Sequence, residues 1–70
     1  MNENQKVVLK VLEETVEYFG NNPIDAISFE LGQYKDNENE KLVDAYVALS
    51  KHEEFEVLAE FAKWGLKNEN

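Results

Sequence analysis

The fold this sequence predicts is all-α, a compact bundle of three to four short helices, and three observations point to it. Apolar residues recur with a helical period and not in strict alternation. The chain is punctuated at GNNP (20–23), at GQYKDNEN (32–39) and at a polar KNEN (67–70). Seventy residues, 43% of them hydrophobic, supply one globular core and no more. The expected helices cover about 4–19, 23–31, 38–50 and 51–66, in one domain spanning 1–70 with frayed polar ends at 1–3 and 67–70.

In the first helix, a step of about 100° per residue gathers Val7, Val8, Leu9, Val11, Leu12, Val16, Tyr18 and Phe19 into one broad arc with Thr15. Lys6, Lys10, Glu13, Glu14 and Glu17 fill the opposite arc. Four valines lower its intrinsic propensity, so packing must hold it. Gly20 suits the C-terminal cap. Thr15, among apolar residues, is expected to bond back to its own helix.

The second helix opens on Asn22-Pro23, a cap followed by the residue favoured in the first turn. Asp25 complements the helix dipole there. Ile24, Ile27 and Leu31 share a face, and Gly32 can end the helix. Ile27, Phe29 and Leu31 also alternate with polar or small residues as in a strand. A helix is preferred, because a lone strand has no partner in this chain.

The third helix places Leu42, Val43, Ala45, Tyr46, Val47 and Leu49 on one side, with Asn37 or Asn39 as its cap. The fourth carries Glu53, Glu56, Glu60, Lys63 and Lys67 in a narrow polar strip. If the third helix ran on unbroken, the apolar stripe would rotate by roughly 110° near residue 50. Ser50-Lys51-His52-Glu53 matches a capping box, so a break is expected there.

Composition narrows the function. The net charge is −8, and all seven basic residues are Lys. Without the forked guanidinium, direct nucleic-acid binding is not expected, and anionic membranes repel the chain. MNENQK lacks the apolar run of a secretory signal, and the longest apolar run, 45–49, is too short to span a bilayer. With no cysteine, the expectation is a soluble cytoplasmic protein. Abundant Asn and Lys without Arg hint at an AT-rich bacterial or phage genome.

Catalytic chemistry has little to draw on. His52 and Glu56 have the i,i+4 spacing of metal ligands, but no second His and no Cys completes a set. A cation-dependent hydrolase on His52 and the glutamates is therefore disfavoured. Residues 36–40 are oxygen-rich, yet Lys41 and Val47 stand where a calcium loop needs Gly and Glu. No catalytic residue, cofactor or metal is expected.

The apolar surplus of the fourth helix is the stronger signal. Phe55, Leu58, Ala62 and Leu66 suffice for the core of a small bundle, which leaves Val57, Phe61 and Trp64 over. Those three are the expected protein-interface residues, since large aromatic side chains anchor interfaces. The competing reading makes this helix the central one, enclosed by the other three. The expected function is a non-catalytic protein-interaction module whose partner is another protein or a second copy in a homodimer. The alternative is an acidic imitator of nucleic acid, with the row Glu53, Glu56 and Glu60 occupying the basic channel of a nucleic-acid-binding protein.

Overall fold

The computed structural model describes residues 1–68, and those residues form four α-helices with no strand. They are α1 (Glu3–Phe19), α2 (Pro23–Leu31), α3 (Glu40–Val47) and α4 (Lys51–Asn68), with a single 3-10 turn, Tyr34–Asp36, before α3. Residues 27–31 are helical, which resolves the ambiguity with a strand.

Local chemistry sets the ends of each helix. Asn2 begins α1 with a capping box: its side chain accepts from the Gln5 N–H at 2.9 Å, and Gln5 Oε1 accepts from the Asn2 N–H at 2.8 Å. The opening is therefore more ordered than the frayed end expected at 1–3. Gly20 ends α1 at φ 70°, a left-handed conformation that costs glycine little. Pro23 fills the first turn of α2 behind Asn22, whose side chain makes no capping bond. Asn39, the second of the two candidates, caps α3 through Leu42 N–H at 3.1 Å. Asn37 instead accepts from the Asn39 N–H and donates to Glu30.

The break near residue 50 is present. α3 stops at Val47, two turns into its apolar pattern and short of the expected 50. Ser50 N–H then donates to Glu53 Oε1 at 2.8 Å and Glu53 N–H to Ser50 Oγ at 3.2 Å. Both halves of a second capping box are thus formed. α4 continues past 66 through Lys67 and Asn68, where the Asn68 side chain donates to the Trp64 carbonyl. The rest of the expected frayed end, 69–70, lies outside the described residues.

α1 is the hub, packing against α2, α3 and α4. This corrects the reading that would make the fourth helix central. The core joins Val8 and Leu12 of α1 to Leu42 and Ala45 of α3 and to Val57 and Phe61 of α4. Leu12 and Leu42 are fully enclosed, each contributing about 1.5–3 kcal/mol over an exposed position. Tyr18 and Phe19, which share the broad arc of α1, lie beyond the reach of its neighbours and are exposed.

The molecule measures 33 × 23 × 16 Å. Packed helices lie about 8–10 Å apart, so the shortest dimension holds two helix layers. In two layers every helix, the hub included, keeps a face toward solvent.

Candidate interaction surface

α4 divides into three sectors around its circumference. The first faces α1: Val57 and Phe61 are buried, and Trp64, half-buried, stacks on Phe61 with ring centroids 6.0 Å apart. The second is outward and apolar: Phe55, Leu58, Ala59, Ala62 and Leu66 fall within an arc of about 100° and are all exposed. The third is the polar strip from His52 to Lys67.

The expected assignment of the two apolar sectors is therefore reversed. Val57 and Phe61, expected at an interface, belong to the core, and Trp64 flanks it. Phe55, Leu58 and Leu66, expected in the core, are surface residues.

Gln5 explains the rotation. It is 2% exposed, and the structure uses its whole side-chain amide. Nε2 donates to the Glu53 carbonyl at 3.2 Å and to Glu56 Oε1 at 2.9 Å, while Oε1 accepts from the Asn2 N–H. Asn2 Nδ2 also donates to Glu53 Oε2 at 2.6 Å. The two capping boxes thus interlock. A buried amide left without these partners costs about 1–3 kcal/mol, so α4 turns its Glu53 side, and with it Val57 and Phe61, toward α1. Reading MNENQK only as a polar opening hides this residue. The signal that could reveal it is the spacing Gln5-Val8-Leu12-Thr15, which sets Gln5 on the buried stripe.

The acidic residues are tied down to different degrees. Hydrogen bonding from the Ser50 backbone holds the Glu53 carboxyl below its ordinary pKa. Glu56 binds Gln5 and stands 3.8 Å from His52 Nε2, and Glu60 is 3.4 Å from Lys63 Nζ. His52 itself is 84% exposed at its side chain. Among the described residues, no group of three or more His, Asp or Glu gathers as a metal-binding cluster. On α1, burial and then repulsion from Glu17 and Glu14 raise the Glu13 pKa.

Thr15 bonds back to the Val11 carbonyl at 2.9 Å, as expected, and also lies 3.1 Å from Glu30 Oε1. Asn37 holds the same Glu30 side chain. This second polar cluster fastens α2 and the loop after it to the hub.

Between α2 and α4 runs a half-open furrow of about 810 Å³. Val16 and Phe61 contribute from the core side, Ile27 from α2, and Leu58, Ala62 and Leu66 from α4. A shallower depression of about 200 Å³ continues it past Ile27 and Leu58 toward Leu31 and Leu49. There Tyr46 has a raised pKa, from burial first and then from the Glu54 carboxylate. The furrow exists because α2 and α4 each pack on α1 and only marginally on one another. Its α4 wall is part of the outward apolar sector.

No helix among the described residues is long and apolar enough to cross a membrane. No family model matches the chain, and none of the curated proteins or solved structures compared with it matches either.

Proposed function

We propose that this chain is a protein-interaction module without catalytic chemistry, and that its contact surface is the outward apolar sector of α4 with the adjoining furrow. One observation carries the reading. Phe55, Leu58 and Leu66 are 62%, 39% and 73% exposed on one side of one helix, beside a half-open apolar channel. Scattered exposed leucines are ordinary on a protein surface, whereas a contiguous apolar patch marks a contact site. The total surface area is consistent with it. A folded monomer of 8.1 kDa exposes about 4,500 Å² by the usual scaling, and this chain exposes 5188 Å². The excess, roughly 700 Å², is spread over the whole surface, with exposed Phe19, Ile24 and Phe29 contributing beside the α4 sector.

The test is site-specific photocrosslinking in the source cell. A benzophenone side chain at position 66 should form adducts with a polypeptide. The same group at position 10, on the exposed far side of α1, should not. Equal labelling at the two positions, or no polypeptide adduct at 66, overturns the proposal.

A further inference from the structure

We infer that the partner is a second copy of this chain, its α4 laid antiparallel against the first across the outward apolar sector. This rests on the reading of that sector as a contact surface and adds what covers it.

The two flanks of the sector decide the direction. By the helical step, His52, Glu56 and Lys63 border it on one side. Leu58 and Gly65, which line the furrow, border it on the other. A two-fold axis perpendicular to two antiparallel helices sets each flank beside the same flank of the other copy, running the opposite way. Glu56 then faces Lys63 of the second copy, and Lys63 faces its Glu56, giving two opposite-charge contacts. Both side chains are available, at 49% and 75% exposure. A parallel pair would set the charged flank against the apolar furrow wall and leave those charges unmatched.

The same register matches size to size. It places Phe55 opposite Leu66 of the second copy, and Ala59 opposite its Ala62. Large residues meet at the ends, and small ones lie at the centre, where the helix axes come closest. Eight net negative charges per chain oppose association. The opposite-charge flank contacts reduce that repulsion locally.

The test has two arms. Light scattering across a concentration series should show the mass moving from monomer to dimer. Lys63→Glu alone and Glu56→Lys alone should each weaken association by about tenfold, since two exposed pairs become repulsive. Mixing these two variants should restore it, because each repelling pair then becomes an attracting one. Circular dichroism confirms that each variant remains helical, and unchanged Trp64 emission confirms that Glu56→Lys, which loses the Gln5 hydrogen bond, keeps α4 in place; if that emission changes, the cysteine arm decides. In the second arm, Phe55→Cys and Leu66→Cys copies, made in a chain with no native cysteine, should cross-link when mixed. Leu66→Cys alone should not, because in the antiparallel pair the two copies of residue 66 lie about 16 Å apart along the axis. A chain that stays monomeric at roughly 1 mM overturns the inference. So does disulfide formation by Leu66→Cys alone, or a mixture of charge variants no tighter than its components. If the chain is monomeric but position 66 still labels a different protein, the module reading stands and only the second copy is excluded. If position 66 labels nothing, both fall.

Discussion

The inner sector of α4, with Val57 and Phe61 at 2% and 5% exposure, and the outer sector, with Phe55 and Leu66 at 62% and 73%, are built from the same kinds of side chain. Each holds a phenylalanine and an aliphatic residue at helical spacing, and by hydrophobicity alone either could pack on α1. They differ in what lies beside them. The inner sector adjoins Glu53 and Glu56, whose oxygens satisfy the buried amide of Gln5. Glu56 lies between the two sectors, but Glu53, whose carbonyl accepts from Gln5 and whose carboxylate accepts from Asn2, stands only on the inner side. A single polar residue therefore chooses between two nearly equivalent apolar faces. The rejected face stays exposed to solvent.

Mutations at the two sectors should separate sharply. Phe61→Ala, in the core, should cost about 3–5 kcal/mol of folding stability in urea denaturation, enough to unfold a domain this small. A loss under 1 kcal/mol would mean that Phe61 is dispensable to the core and that the sectors are not distinct. Gln5→Ala should cost about 1–3 kcal/mol by leaving its partners without their donor. It should also free α4 to rotate, which fluorescence of Trp64, the only tryptophan, would register as altered solvent exposure. Unchanged Trp64 emission in a folded Gln5→Ala variant would show that the interlocked caps do not set the rotation. Ser50→Ala removes one half of the second capping box and should cost about 1 kcal/mol, seen as a lower Tm. Leu66→Ser, on the outer sector, should change unfolding of the dilute chain by less than about 0.5 kcal/mol while abolishing its contacts.

The smallest expected effect is in pH dependence, where two carboxylates act with opposite signs. Glu53 has a lowered pKa in the folded state, so its contribution is present above the unfolded carboxylate value, near 4. That contribution is lost as pH falls through the lower folded value. Glu13 has a raised pKa, so its ionised form opposes folding at neutral pH, and the cost is relieved as pH falls through the raised value. Glu53→Ala should therefore be less stable than the parent at pH 7, with the gap closing in acid. Glu13→Gln should be slightly more stable at pH 7, with its advantage closing as pH falls. Parallel stability curves for both variants between pH 7 and 3 would contradict these assignments.

Much of the architecture was legible from the chain. Asn22-Pro23 and Gly32 bounded the second helix correctly, Ser50 and Glu53 announced the start of the fourth, and Gly20 closed the first. The Thr15 back-bond also followed from its place among apolar neighbours. The proposed interaction surface was only half legible. A surplus of apolar side chains on the fourth helix could be counted, but the residues left over were the wrong ones. Val57, Phe61 and Trp64 had been expected outside because Phe55, Leu58, Ala62 and Leu66 made an equally good core stripe.

The helix boundaries, the break near residue 50 and the excess of apolar surface were determined by the sequence itself. Caps, turns and side-chain period act over three or four neighbouring residues, and nothing distant is needed to read them. Which helix became the hub, and which side of α4 faced it, was decided only by the tertiary structure. The first rests on Val8 and Leu12 packing with residues of α3 and α4, the second on hydrogen bonds from Gln5 to Glu53 and Glu56; both join residues far apart along the chain, and burying an amide is tolerable only once its partners are in place.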